Sequence, residues 1–240
     1  MLVVVATLAG TGIWLARDNS GDEAPTGQST SSSTRSTTAT TPTTAAVPTV
    51  VATQLDSMLL GPAQINGIVG TSGIVVEHES TDMRDPGPKD SLSDEQCRGA
   101  LIGFQTHVYK SSGYTAMKAQ LMQKPGSSPG YAVVQGAVIF SSADQALGFV
   151  TSQATQWRNC TGKPVTQINN GTTFHWTLLV VTGDPRKISL QRTLANGNGV
   201  DCEHVLNAVS NVVLDVNACA PQATDQATKI AEDMAANVPK

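Results

Sequence analysis

Two short motifs contain residue types that catalyse hydrolysis or bind metal ions. Gly126-Ser127-Ser128-Pro129-Gly130 matches the G-x-S-x-G pattern, in which a nucleophilic serine lies on a turn between a strand and a helix. Here a strand-like run follows the motif, so we predict a hairpin loop. In Glu77-His78-Glu79, a strand would place the two carboxylates on one face and the imidazole on the other, which separates the potential metal ligands. The sequence therefore predicts neither a catalytic site nor a metal site.

A polar face that could bind a ligand is predicted in the strand containing Phe174-His175-Trp176. The two aromatic residues share one face and are expected to pack in the core. Because side chains alternate along a strand, His175 then lies on the other face with Thr177. Two interpretations remain open for this face: it lines a ligand cleft, or it simply meets water.

Two tyrosines form a second candidate ligand site. Tyr109 and Tyr114 flank the polar segment Lys110–Gly113. Aromatic residues on a loop can form the rim of a binding site, but tyrosine also packs well at the edge of a domain. The other histidines of this region, His107 and His204, have no partner that the sequence identifies.

The four cysteines are scattered and form no C-x-x-C motif, which disfavours a zinc cluster. If Ser210-Asn211 is a two-residue hairpin turn, Cys202 lies opposite Cys219 in a non-hydrogen-bonded pair. Such pairs are close enough for a disulfide, which indicates an oxidising compartment. Cys97 and Cys160 would then form the second disulfide. A helix beginning at Cys202 is the competing interpretation, although the valines that follow the turn favour strands.

Composition limits the partners and cofactors of the chain. The 240 residues include 15 Lys and Arg and carry a net charge of −4, whereas a nucleic-acid-binding protein usually needs a basic face. We therefore predict no nucleic-acid partner, and we find no motif that predicts a cofactor.

The first 54 residues are predicted to lie outside the folded domain. Leu2–Ala16 is apolar but has only 15 residues, short of the roughly 20 that span a bilayer. Our hypothesis is that residues 1–16 belong to a transmembrane anchor that begins before Met1; the alternative is an atypical signal anchor. Residues 17–54 are predicted to be a disordered linker, because 13 of the 16 residues of Ser29–Thr44 are Ser or Thr.

Residues 55–240 are predicted to form one domain of the α+β class. Short turns separate the strand-like runs, which indicates a largely antiparallel sheet. The predicted strands are Ile74–His78, Tyr114–Met122, Tyr131–Phe140, Val165–Ile168, Thr172–Val181 and Lys187–Leu194, followed by the hairpin at Val200. Helical spacing predicts helices over Leu55–Leu60, Pro62–Val69, Ser141–Arg158 and Asp225–Asn237, and a short helix that carries Cys97 with Ser93 as its N-cap.

Several segments resemble a known family. They are the four cysteine positions, the run from Ser210 to Cys219, Ser112-Gly113-Tyr114-Thr115-Ala116, Trp176-Thr177-Leu178 and the helix from Asp225. In these segments the chain is similar to the PknH-type extracytoplasmic sensor domain of mycobacterial receptor-like serine/threonine kinases and related lipoproteins. The resemblance implies a single α+β domain with a twisted antiparallel sheet flanked by helices, disulfides Cys97–Cys160 and Cys202–Cys219, and a ligand cleft.

The expected function is a non-enzymatic sensor on the outer side of a cell membrane. The chain has no Gly-rich loop, His-Arg-Asp or Asp-Phe-Gly motif, so it cannot itself phosphorylate a substrate. Its expected partners are a small-molecule or envelope ligand, the membrane, a kinase domain in a longer parent chain or an associated kinase, and a second copy of itself. The alternative is a free-standing envelope protein that binds a lipid or glycan.

Overall fold

The alternating apolar residues between Val75 and Pro221 form one antiparallel sheet of nine strands. A computed structural model describes residues 49–127, 130–197 and 199–239. The strands are β1 (Val75–Ser80), β2 (Ser91–Leu92), β3 (Tyr114–Gln123), β4 (Ala132–Phe140), β5 (Pro164–Asn169), β6 (Thr172–Gly183), β7 (Lys187–Leu194), β8 (Val200–Val209) and β9 (Val212–Pro221). Their order across the sheet is β1-β3-β4-β9-β8-β7-β6-β5-β2. All neighbouring strands of the sheet pair antiparallel, which confirms the predicted fold class.

Five α-helices accompany the sheet in the described ranges. They are α1 (Pro62–Val69), α2 (Arg98–Leu101), α3 (Thr106–Tyr109), α4 (Ala143–Arg158) and α5 (Gln226–Ala236). Helix α1 begins with proline at its first position and ends at Gly70, whose φ of 73° is left-handed. The side chain of Ser142 accepts a hydrogen bond from the backbone N–H of Gln145 and caps α4. These local signals explain why α1 and α4 occur where the sequence predicts them.

Helices pack on both faces of the sheet, so the central strands are buried from two sides. On the first face, α4 and the α2–α3 segment cover a core that includes Phe140, Leu190 and Leu206. On the second face, α1 and α5 cover a core that includes Val205 and Leu214. The antiparallel sheet therefore separates two apolar layers.

The central hairpin β8–β9 has the predicted register. Ser210 adopts a left-handed φ of 53° in the two-residue turn, and Val209, Val205 and Cys202 face Val212, Val216 and Cys219. The Cα atoms of the two cysteines lie 4.1 Å apart, as expected for a non-hydrogen-bonded pair. The two predicted disulfides, Cys202–Cys219 and Cys97–Cys160, are both present. The alternative helix at Cys202 is wrong.

The structure differs from the sequence-based expectations at several places. In the segment predicted as the helix Leu55–Leu60, it has two short 3-10 helices, Ala52–Gln54 and Asp56–Met58. The two-residue strand β2 has no counterpart among the predicted strands. The short helical turn that contains Cys97 is capped by Asp94 rather than Ser93, whose hydroxyl accepts a hydrogen bond from the backbone N–H of Thr166. The folded domain also begins before the predicted residue 55. Val50 is buried, and its backbone N–H donates a hydrogen bond to the side-chain oxygen of Asn211.

Three predictions fall wholly or partly outside the described residues. The anchor at residues 1–16 and the linker up to residue 48 lie outside them, as do Ser128 and Pro129 of the G-x-S-x-G motif. Within the described ranges, no helix is both long enough and apolar enough to cross a membrane.

A buried polar network joins the hairpin to the α2–α3 segment. Asp215 Oδ2 accepts a 2.8 Å hydrogen bond from the hydroxyl of Tyr109, and Asp215 Oδ1 lies 2.8 Å from His204 Nε2. The other ring nitrogen of His204 lies 3.1 Å from the carbonyl oxygen of Ala100. A Cβ atom at Gly103 would lie 2.6 Å from Asp215 Oδ1, so only glycine allows the chain to pass this carboxylate. His204 thus has the partners that its sequence context does not reveal.

Hydrogen bonds satisfy every polar side-chain atom of this network. A carbonyl oxygen can only accept, so His204 Nδ1 donates to Ala100. Asp215 is bonded through both of its oxygens, to Tyr109 and to His204. Polar groups that are fully paired in this way can be buried at a much lower cost than unpaired ones.

Arg192 is a buried cation on the same face of the sheet. It is 6% exposed, its Nη1 donates to Asn217 Oδ1 at 2.9 Å, and its guanidinium lies 5.0 Å from the ring centroid of Trp176. Burial lowers the pKa of Arg192 to about 10, so the side chain stays charged at neutral pH. Stacking on the indole partly offsets the loss of hydration.

The two disulfides are expected to stabilise the fold to different extents. They close segments with sequence separations of 63 and 17 residues. By the chain-entropy relation, replacing Cys97 and Cys160 by alanine should lower the free energy of unfolding by about 4 kcal/mol, and replacing Cys202 and Cys219 by about 3 kcal/mol. Urea unfolding of both double variants measures these losses. A double variant as stable as the wild type would contradict the expectation.

Tyr109 is expected to make stability depend on alkaline pH. Burial first, and then the negative charge of Asp215, raise the pKa of Tyr109 well above its ordinary value. The folded protein therefore retains a proton that the unfolded chain loses above pH ~10, so this stabilisation is present below that pH and is lost as pH rises. Above it, the wild type should lose about 1.4 kcal/mol more per pH unit than Tyr109→Phe. Urea unfolding across this range provides the test, and equal slopes would refute it.

Candidate functional site

An open cleft lies between the sheet and the N-terminal end of α5. Its volume is about 650 Å³. Helix α5 packs on β8 and β9, whereas the same face of β6 carries exposed side chains at His175, Thr177 and Leu179. The cleft exists because α5 covers only the central strands of this face.

Hydroxyl groups dominate the polar lining of the cleft. The residues that line it are Thr161, Gly162, Thr177, Leu178, Leu179, Val180, Thr182, Ser189, Gln191, Glu203, Thr224 and Thr228. Six of these carry hydroxyl groups, none is basic, and Glu203 is the only acid. The cleft therefore offers hydrogen bonds to neutral groups and a negative charge, but no positive charge for an anionic ligand.

A bulge in β6 provides the apolar part of the cleft. The pairing of β6 with β7 shifts between Leu178 and Val181, so that consecutive residues Leu179 and Val180 are both exposed. Val180 is 66% exposed, more than any other large apolar side chain among the described residues. An extra residue in one strand redirects side chains in this way. The bulge gives the cleft an apolar surface that regular alternation would not.

The carboxylate of Glu203 connects the sheet to α5 beneath the cleft. Its side chain is 2% exposed, and its Oε1 accepts hydrogen bonds of 2.6 Å from the hydroxyls of Ser189 and Thr228. Its Oε2 accepts a 3.0 Å hydrogen bond from the backbone N–H of Thr228 in the first turn of α5. Backbone N–H groups of a first turn have no partner within the helix, so this carboxylate caps α5 from the sheet.

The structure places two of the predicted site residues on the cleft face. Thr177 lines the cleft, and His175 lies two positions earlier on the same exposed face, with its Nδ1 3.1 Å from Thr166 Oγ1. For Thr177, the geometry therefore favours the interpretation in which this polar face lines a cleft. Whether either residue binds a ligand stays a prediction.

The structure does not bring the two predicted tyrosines to this cleft. Tyr109 is 1% exposed, bonds Asp215 and packs in the core of the opposite face. Tyr114 is half-buried against it, with ring centroids 6.1 Å apart. In this conformation both rings pack the domain, which was the competing interpretation. We therefore do not include them in the proposed binding site.

Two polar residues of the cleft escaped the sequence analysis. Glu203 shares a face with Val205 in a valine-rich strand, and a carboxylate on a buried face requires partners. That mismatch could have identified Glu203 as important. Gln191 donates to the backbone carbonyl of Thr224 and ties β7 to the segment before α5. No local pattern in the sequence reveals this contact.

Removing the Glu203 carboxylate should loosen α5. We expect Glu203→Ala to lower the free energy of unfolding by about 1–3 kcal/mol, because a buried backbone N–H loses its acceptor. Glu203→Gln should lose less, since its carbonyl oxygen can still accept from Thr228. Urea unfolding measures both. Glu232→Ala removes an exposed α5 carboxylate that pairs with Lys187 and is the matched control; an equal loss in Glu203→Ala and Glu232→Ala would contradict the capping role.

Comparisons with known proteins identify relatives over nearly the whole described domain. The family model described as "PknH-like extracellular domain" matches residues 50–237. The chain is 36% identical over 191 residues to the serine/threonine-protein kinase PknH of Mycobacterium bovis, covering 80% of this chain and 32% of the relative. The PknH of Mycobacterium tuberculosis matches at the same identity and length, with 30% of the relative covered. The chain thus spans about a third of the length of the curated relatives it matches.

A solved structure matches the fold. The crystal structure of the extracellular domain of PknH from Mycobacterium tuberculosis superposes with a TM-score of 0.75 at 34% sequence identity. The match covers 80% of this chain and 97% of that domain. The family match, the sequence identity and the fold agree on the same segment of the chain. This chain belongs to the family of PknH-like extracellular domains.

Proposed function

We propose that this chain is the extracytoplasmic sensor part of a receptor-like serine/threonine kinase, that it catalyses no reaction itself, and that its ligand binds in the cleft beside α5. The observation that carries the proposal is the match to the extracellular domain of a kinase, combined with an open cleft of about 650 Å³. That volume lies within the range of sites that bind small molecules.

The lining of the cleft favours a neutral or cationic ligand. Hydroxyl groups such as those of Thr177 and Thr182 both donate and accept hydrogen bonds, and Leu179 and Val180 offer apolar contact. A ligand with negative charge would meet Glu203 without a compensating cation in the lining. This carboxylate already accepts three hydrogen bonds, so its role in binding would be electrostatic.

Signal transfer would depend on association rather than on a rigid lever. Residues 17–48 have the composition of a disordered linker, and such a linker transmits rotation poorly. Residues 1–16 would anchor the chain to the membrane. In this proposal the ligand binds the self-associated state more tightly than the single domain and so shifts the equilibrium toward association.

Blocking the cleft should abolish ligand binding without unfolding the domain. Thr177→Trp adds an indole to an exposed strand position in the cleft, and Thr155→Trp adds one to an exposed position of α4 as the control. A fraction of cell-envelope extract that contains the ligand at 100 times its dissociation constant should raise the melting temperature of the wild type and of Thr155→Trp by about 5–11 °C. Thr177→Trp should show no increase. An equal increase in all three proteins would refute binding in the cleft.

Chemical cross-linking tests the transfer step separately. Membrane-tethered full-length chains are cross-linked with and without the active fraction, and dimers are quantified by gel electrophoresis. The fraction of dimer should rise for the wild type and stay constant for Thr177→Trp. An unchanged oligomeric state in the presence of bound ligand would contradict association as the signal.

A further inference from the structure

A second cavity lies on the other side of the sheet from the cleft, between α4 and the α2–α3 segment. Its volume is about 240 Å³, and it is bordered by the end of α4 that the disulfide Cys97–Cys160 clamps to the short turn before α2. Glutamine, asparagine and histidine side chains make up most of its polar surface. We call this cavity the amide bowl.

The floor of the amide bowl is an unsatisfied amide. Gln153 is 4% exposed, and its Oε1 has no hydrogen-bond partner among the residues that the structure describes. Leaving a buried polar group unpaired costs about 1–3 kcal/mol. A Cβ atom at Gly99 would lie 3.0 Å from this oxygen and 3.2 Å from a methyl group of Val108. Gly99 and Val108 therefore enclose this oxygen, and it can reach a ligand in the bowl only if the amide of Gln153 turns toward the bowl.

The one charged side chain that lines the bowl among the described residues, Glu95, is paired with Arg98. Glu95 accepts hydrogen bonds of 2.7 and 2.6 Å from Nε and Nη2 of Arg98, which is itself buried. Burial, followed by the positive charge of Arg98, lowers the pKa of His107 below its ordinary value, so its imidazole is neutral at pH 7. The other polar rim groups are the amides of Gln96, Gln156 and Asn159.

Each uncharged group of the bowl both donates and accepts hydrogen bonds. An amide has a carbonyl oxygen and an NH₂ group, and a neutral imidazole has one N–H and one acceptor nitrogen. The complementary ligand group also has both functions, as a hydroxyl does. Two adjacent hydroxyls of a sugar ring can satisfy the oxygen and nitrogen of one amide together. An anionic ligand would lose hydration here without finding an opposite charge, and the carboxylate of Glu95 is already bound to Arg98.

We propose that the amide bowl binds a neutral hydroxylated ligand, a single sugar residue, through Gln153, Gln156, Asn159 and His107. Its volume is smaller than that of most drug-sized sites, which suits one ring better than a longer chain. The bowl is a site distinct from the cleft, so the two sites can be tested independently.

Nuclear magnetic resonance on the isotope-labelled full chain provides the test. Millimolar D-glucose, D-galactose, D-mannose and N-acetyl-D-glucosamine are added separately, with D-glucuronate and D-glucosamine as charged counterparts. We expect at least one neutral sugar to shift the side-chain NH₂ signals of Gln153 and Gln156 and to receive saturation transfer from the protein. No response to any neutral sugar, or a stronger response to a charged one, would overturn the proposal.

Substitutions assign the response to the bowl. Gln153→Leu removes the floor amide, and Gln156→Ala removes an exposed rim amide and so leaves folding unaffected. Both should reduce saturation transfer at least fivefold. Thr155→Ala, an exposed neighbour on α4 outside the bowl, and Thr177→Trp, in the cleft, should retain the wild-type response. Equal transfer in the wild type and Gln156→Ala would overturn the assignment even if Gln153→Leu does not fold.

Discussion

Burial of the β8–β9 hairpin from both faces is the constraint on which the rest of the structure depends. The hairpin lies at the centre of the sheet, and its side chains alternate between the two apolar layers. Nearly all of its residues are buried, so each strand resembles a continuous apolar run more than a pattern with one wet face. The disulfide Cys202–Cys219 fixes its open end, and the Ser210-Asn211 turn fixes the other.

Two consecutive residues of this hairpin form hydrogen bonds with helices on opposite faces of the sheet. Glu203 points to the second face and caps α5, whereas His204 points to the first face and bonds the carbonyl oxygen of Ala100 in α2. Asp215, on the paired strand, extends the second contact to Tyr109 in α3. Burying these groups in a purely apolar layer would be costly, but as satisfied partners they specify where each helix lies. The polar residues of the hairpin thus determine where the helices lie on the sheet. Its valines stabilise that packing without specifying it.

This arrangement also defines the two cavities. The wall of the cleft is α5, and the position of α5 depends on the hydrogen bonds from Thr228 to Glu203. The amide bowl includes His107 of α3, and the same short helix carries Tyr109, which bonds Asp215. Both proposed sites are therefore connected to the hairpin by direct contacts. A ligand at either site would act on an element that the central strands already hold.

The sequence by itself determined the hairpin register, the pairing of the cysteines, the extent of α1 and α4, and the polar face containing Thr177. These features follow from alternation, turn residues and caps, which act over a few neighbouring residues. The sequence could not show that Tyr109 belongs to the core, or that Glu203 and Gln153 border cavities. Those facts depend on contacts such as Tyr109 to Asp215, 106 residues apart. Only the tertiary structure decided them, because no local pattern specifies which distant side chains meet when two helical layers close on one sheet.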